Sequence, residues 1–375
     1  MPSELWPAVI GQHRVKGILR SALRSGRVPH AYLFHGNAGV GKDAMAMELA
    51  RVIHCERAGE EACGECGSCL RLARLQHSDV KFIIPLPRGS GEGKDDGPLD
   101  KLAASDLETV REQIARKAAD PYHRITIPRA TIIKINSIRE IRRDVSMGSA
   151  DGRSKVFIIA GADAMGDEAS NTLLKTLEEP TGECLFLLTT SRRDALLPTI
   201  ISRCQEIRFD PLTEEEIAAA LTDRNGVPAD KAALVARLAN GSYTRAVELL
   251  GDDLQEERAH VVSFLRAALG AQVLNLSKQI ERVTEGNDRE AVHRFLLLQM
   301  MWFRDALALR HGGNIINIDQ MDDLRRFVDR FGDADLCGAI AEVERAISLV
   351  GRNVYIKLVL LQLAVRLKSI LKRPA

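Results

Sequence analysis

The placement of proline constrains this chain more than any other feature. Twelve of its 13 prolines lie at or before Pro228, and the remaining one is Pro374. Proline breaks a helix interior, so residues 229–373 are free to be helical throughout. Apolar residues there recur at helical spacing, as in Val261, Phe264, Leu265 and Ala268, or Ile340, Val343, Ala346, Ile347 and Val350. Breaks are expected at Gly270, Gly286, Gly312-Gly313 and Gly351. The last third is expected to be an all-α bundle.

The first two thirds alternate. Short apolar runs at Ala31–Phe34, Val80–Ile84, Ile132–Ile135, Val156–Ala160, Leu185–Thr189 and Gln205–Phe209 are separated by helical patterns. That alternation predicts βα units on a parallel sheet covered on both faces. Between Pro85 and Pro128 the pattern weakens. PLPRGSGEGKDDGP reads as a flexible surface loop and about Leu99 to Ala118 as a charged amphipathic helix, an insertion at about 86–128 with no assigned role.

After Ala31–Phe34 comes Gly36-Asn37-Ala38-Gly39-Val40-Gly41-Lys42-Asp43, followed by a helical stretch into Ile53. Strand, glycine loop and helix are the context that a phosphate-binding loop requires. Its glycines let backbone N–H groups face a polyphosphate, the helix N-terminus adds a positive dipole end, and the lysine neutralises phosphate charge. Position 43 departs from the pattern. A neutral Ser or Thr hydroxyl belongs beside magnesium there, and Asp43 brings a negative charge towards the phosphates. ATP or ADP binding is therefore doubtful. The loop reads as an inherited one that has lost its function, or as a chance glycine turn.

Hydrolysis needs acidic residues at the end of a second strand. The candidate strand Val156–Ile159 runs instead into Ala160-Gly161, and Asp163 lies beyond those positions.

Cys55, Cys63, Cys66 and Cys69 place four thiols within fifteen residues, with Gly59, Gly64 and Gly67 allowing the chain to wrap. Four thiolates suit a closed, structural zinc site. An iron–sulfur cluster and a set of unligated thiols are the other readings. Polar neighbours such as Glu56, Arg57, Glu60 and Glu61 argue against a thiol core.

The stretch from Lys155 to Cys204 resembles the clamp-loader branch of the AAA+ ATPases. The resemblance rests on Asn171-Thr172-Leu173-Leu174-Lys175-Thr176-Leu177-Glu178-Glu179-Pro180, on Ser202-Arg203-Cys204 and on the cysteine module after the loop helix. Val9-Ile10-Gly11-Gln12 is similar to the segment lining the adenine pocket in that family.

The resemblance implies an α/β phosphate-loop (AAA+) domain with a parallel sheet over residues 1–210, a small helical lid over 211–251 and an all-helical oligomerisation collar over 252–375. Within the branch, Lys42-Asp43 and Ala160-Gly161 point to a member without a working ATPase centre. The resemblance further implies that Arg203, with Ser202 and Cys204 as its motif, reaches in trans to the γ-phosphate held by a neighbour.

Arg245 resembles a second sensor of bound phosphate, with helix capping or carboxylate pairing as the alternative. Thr190 and Ser191 fall where a first sensor sits, with simple strand-end hydrogen bonding the favoured reading. Implied partners are gamma/tau-type motor subunits, the delta subunit and, through the assembly, a sliding clamp and primer-template DNA. The rival functions are an ATP-hydrolysing motor, a nucleotide-binding sensor that does not hydrolyse, and a zinc-module interaction protein outside replication.

Charge adds a limit here. Fifty-two Lys+Arg against 51 Asp+Glu exclude a polycation or an acidic tail. The basic stretch Arg139, Arg142, Arg143, Arg153 and Lys155 and the tail Arg366–Arg373 read as solvated helix faces before they read as DNA contacts. No signal-peptide-like or membrane-spanning apolar run is present, which predicts a cytoplasmic protein without membrane contact.

Overall fold

The computed structural model describes residues 6–57, 59–93, 96–148, 152–179, 182–251, 254–270, 273–313, 315, 317, 320–351 and 354–371. Two compact units are present, Met1–Val247 and Glu248–Ala375.

The first unit is built on β1 (Ala31–His35), β2 (Val80–Ile83), β3 (Lys155–Ala160), β4 (Cys184–Thr190) and β5 (Gln205–Arg208). Every pairing is parallel and the order is β2-β3-β4-β1-β5. β1 lies inside the sheet, between β4 and β5, and the loop that follows it opens at the carboxyl edge of the sheet, where α/β proteins bind ligands. Strands β1, β3 and β4 are apolar and buried almost throughout, the signature of a sheet covered on both faces. Phe157 and Phe186 are register partners whose rings stack 5.4 Å apart.

Three expectations need correction. Ile132–Ile135 is not a strand. Ile133 makes one isolated bridge to Met165, and Ile135 already starts a helix. That run is apolar because Ile133 and Ile138 join the core beneath the sheet.

The insertion, moreover, opens on a stretch without helix or strand among its described residues, as expected, but its helix is Ala104–Ala119 and starts later than Leu99. Leu86, Val110 and Ile127 of the insertion form a small core with Ile84 and with Ala160 of β3. Lys94 and Asp95 of its loop lie outside the described residues, as does Pro180 of the Asn171–Pro180 block.

Finally, the basic stretch is not simply solvated. Arg153 donates to the backbone oxygens of Ile53 and Cys55, and Lys155 to that of Asp144.

The helices of this unit are α1 (His13–Arg24), α2 (Lys42–His54), α3 (Gly67–Leu72), α4 (Ala104–Ala119), α5 (Ile135–Ser146), α6 (Asp167–Glu178), α7 (Pro198–Ile201), α8 (Glu214–Asn225) and α9 (Ala229–Leu238), with α10 (Tyr243–Gly251) running into the second unit. A reciprocal capping box between Thr213 and Glu216 starts α8, and Gly226 ends it in the left-handed conformation.

The second unit is helical, as proline placement requires, with α11 (Leu254–Leu269), α12 (Val273–Val283), α13 (Arg289–His311), α14 (Met321–Arg330), α15 (Leu336–Val350) and α16 (Ile356–Leu371). Four of the five long connections fall at or next to the glycines expected to break helices. Its core holds Phe264, Phe303, Val343, Leu360 and Leu367. One buried polar cluster is paired internally: Asn317 donates twice to Asp305 at 2.6 Å and accepts from Arg258 at 2.9 Å.

One face of α16 is buried, while Leu358, Leu361 and Val365 line the other and are exposed, as is Tyr355 just before the helix. Among the described residues no helix is long and apolar enough to cross a membrane. Lys372 and Arg373 of the basic tail lie outside the described residues.

Candidate functional site

The glycine loop is shaped as the sequence predicts. Gly39 (φ 75°) and Gly41 (φ 100°) take left-handed conformations that side chains resist, and Lys42 opens α2 directly behind them. The lysine ammonium does not point into open space. It donates to the carbonyl oxygens of Gly36 at 2.8 Å and Asn37 at 2.5 Å, and to Ser191 Oγ at 3.3 Å. Burial pushes its pKa down to about 8, against the opposing pull of Asp43 and Asp163.

Asp43 is fully engaged. Lys117 of α4 donates to Oδ2 at 2.9 Å and Thr189 Oγ1 donates to Oδ1 at 2.7 Å. Burial opposes the Asp43 charge, but Lys117, Thr189 and Lys42 outweigh it and hold the carboxyl below its ordinary pKa. At the end of β3 stand Ala160 and Gly161. Asp163 is bound by Thr190 Oγ1 at 2.7 Å and Arg192 Nε at 2.8 Å. The two hydroxyls thus differ: Thr190 holds Asp163, whereas Ser191 touches the loop lysine.

Residues that sequence reasoning missed close over the loop. Tyr122, in the insertion, is buried, and its hydroxyl accepts from Ile10 N–H at 2.9 Å. A Cβ on Gly41 would lie 2.6 Å from that hydroxyl, and a Cβ on Gly39 would collide with Ser242 Oγ. Tyr243 N–H donates to Gly39 O at 3.0 Å, Thr244 Oγ1 donates to Tyr122 O at 2.9 Å, and the Tyr122 and Tyr243 rings meet edge to face at 4.9 Å. Arg224 lies over both rings. Arg245 sits one residue further along α10, its backbone N–H bound by Ser242 Oγ at 3.3 Å. A tyrosine is scarce in a chain with 4% aromatic residues, and that scarcity was the one signal available at Tyr122.

The four cysteines converge. Their sulfurs all lie within 4.8 Å of one another, and Cys63 and Cys69 are 3.9 Å apart. Tetrahedral zinc at about 2.3 Å from each sulfur requires separations of about 3.8 Å, so the set can hold a metal ion. Backbone N–H groups of Cys63, Cys66 and Cys69 already point at the sulfurs of Cys55, Cys63 and Cys66. The backbone N–H groups of Glu65 and Cys66 hold the Cys63 thiol down to about 6. The module grips the leading segment as well. Glu60 takes Arg20 and Arg24 of α1 by its carboxylate and Trp6 Nε1 by its carbonyl, the last at 2.7 Å.

Arg203 follows the single turn of α7. It donates to Glu178 Oε1 at 2.6 Å and to Thr199 O at 3.0 Å, with its side chain 34% exposed. Ser202 Oγ donates to the same Thr199 oxygen. Burial pushes the Cys204 thiol up to about 12, which leaves it inert. The triplet and the Asn171–Pro180 block, separate in sequence, are therefore joined by the Arg203–Glu178 pair.

A family model described as "DNA polymerase III, delta subunit" matches residues 11–213. Over 252 residues the chain is 31% identical to DNA polymerase III subunit delta' of Bacillus subtilis, covering 67% of this chain and 63% of that one. Over 250 residues it is 32% identical to the Pseudomonas aeruginosa protein of the same name, covering 65% and 62%. Over 373 residues it is 28% identical to DNA polymerase III subunit gamma/tau of Mycobacterium tuberculosis, covering 90% and 56%. The chain thus spans less than two thirds of the length of each of these relatives.

Proposed function

The chain belongs to the DNA polymerase III delta-subunit family and resembles its delta-prime members, and from that premise we propose that it is a non-hydrolysing, stator-type clamp-loader subunit. Its work is to help a ring of subunits load a sliding clamp onto primed DNA within the DNA polymerase III holoenzyme, a cytoplasmic DNA-directed DNA polymerase. Arg203 is its contribution to chemistry, reaching the γ-phosphate of ATP held by a neighbouring gamma/tau-type subunit.

The observation that carries this reading is the contrast between two sites in one chain. The phosphate loop has its metal-binding hydroxyl replaced by an aspartate that Lys117 neutralises, and β3 ends without acids. Arg203, by comparison, sits on a turn with a partly exposed guanidinium. A guanidinium stays charged at every relevant pH and can hold two phosphate oxygens at once, which lysine cannot do as well.

Residues 211–251 serve as the lid over residues 1–210, and 252–375 as the collar. The exposed stripe Tyr355, Leu358, Leu361 and Val365 supports a role for the collar in binding helices of other subunits, the delta subunit among them. The four cysteines hold zinc as a structural ion.

Reconstitution of the complex with Arg203→Ala tests the reading. Assembly should be intact and ATP turnover should fall by about 10³ or more, the range of arginine fingers in other nucleotide hydrolases. Turnover equal to that of the unaltered complex would sink the finger role.

A further inference from the structure

The insertion touches each wall of the phosphate-loop crevice within seven residues. Lys117 is 5% exposed at its side chain, and its ammonium bridges Asp43 Oδ2 at 2.9 Å and His123 O at 3.0 Å. A magnesium ion would stand beside residue 43 in a phosphate loop that follows the usual pattern, so a positive charge is already in its place. Three residues on, the turn at Asp120, whose Oδ1 takes Tyr122 N–H at 2.9 Å, directs the tyrosine inward. Tyr122 then meets Ile10 of the leading segment, Gly41 of the loop, and Thr244, Tyr243 and Arg224 of the helices beyond residue 211. Lys42, the loop's own cation, is turned back onto the loop carbonyls.

We propose that residues 117–123 are a built-in occupant of the phosphate-loop crevice, Lys117 standing where a divalent cation would and Tyr122 tying loop, leading segment and lid together in the absence of nucleotide. The lid is thereby held shut by the chain itself, and its position is independent of ATP concentration. This goes beyond the arginine-finger reading and does not depend on it, because Arg203 takes no part.

Calorimetric titration of MgATP, and separately of ADP, into the full chain tests the proposal. The native chain should give no binding at millimolar nucleotide. The triple variant Asp43→Thr/Lys117→Ala/Tyr122→Ala removes both halves of the ion pair together and restores a hydroxyl at position 43. It should bind with a Kd at least about tenfold below the native limit. Native binding as tight as that of the variant would overturn the proposal, and so would a folded triple variant that remains unable to bind.

Should the triple variant not fold, Tyr122→Phe keeps the ring and loses the hydroxyl. Its Ile10 amide and the Tyr243 amide that donates to Gly39 O should then exchange hydrogen at least about tenfold faster than in the native chain. Unchanged exchange at those amides would overturn the proposal equally.

Discussion

Arg203 holds Glu178 at 2.6 Å across the gap between the Ser-Arg-Cys turn and the end of α6. The pair is about as exposed as surface ion pairs whose net contribution is about 0–1 kcal/mol. A guanidinium has five N–H donors, so Glu178 and Thr199 leave part of it available. Glu178→Ala should therefore shift the unfolding free energy by less than about 1 kcal/mol and leave ATP turnover of the reconstituted complex within about twofold of the native level, a difference of about 0.4 kcal/mol. A large loss would make Glu178 the positioning residue for Arg203, measurable as a lower kcat at unchanged nucleotide KM.

Lys117 and Asp43 are a largely enclosed pair, and removing one partner strands the other. Lys117→Ala should destabilise the chain by about 3–5 kcal/mol, and Asp43→Thr added to it should recover much of that loss. Urea unfolding of the single and double variants checks both.

The pH dependence follows from the direction of the Asp43 shift. Its folded pKa lies below the ordinary value of 3.8, with Lys117, Thr189 and Lys42 overcoming the effect of burial. The unfolded state therefore binds the proton first as pH falls, and the stabilisation is complete above the unfolded pKa and lost through the lower folded one. The difference in melting temperature between the native chain and Asp43→Asn should be constant near neutrality and should narrow below about pH 4. A difference that widens on acidification would contradict the assignment.

Gly39→Ala combines a left-handed backbone at φ 75° with a collision against Ser242 Oγ. The expected loss is about 2 kcal/mol or more, read from the denaturant midpoint.

The purified chain should carry one zinc ion, measured by metal analysis. Chelation should lower the thermal midpoint, since an ion present at a thousandfold excess over its Kd stabilises by about 4 kcal/mol. Cys66→Ser should show the lowered midpoint without chelator. An unaltered midpoint after metal removal would refute a structural ion.

Much of this was readable before any coordinates. The strands around Leu33, Ile158 and Leu187 are local apolar runs, and the loop from Gly36 to Asp43 is a contiguous motif whose chemistry follows from residue type. The four cysteines likewise lie close in sequence. Ile132–Ile135 misled because an apolar run says that residues are buried, and Ile133 is buried by a single bridge and the helix that follows it.

The crevice was illegible for a different reason. Tyr122 matters only because the chain brings Ile10, Gly41 and Tyr243 to it, residues far from it in sequence on either side. Charge patterning equally gave no means of pairing Lys117 with Asp43, since α4 also carries Arg111 and Arg116.

Glu60 turns the cysteine module into more than a local staple. Its carboxylate clasps two arginines of α1, and its carbonyl takes the indole of Trp6. A disturbance at the cysteines would therefore be felt at the residues that open the domain: if Glu60 lost its place, Trp6, Arg20 and Arg24 would each lose a partner, while Val15 and Leu19 would keep α1 packed.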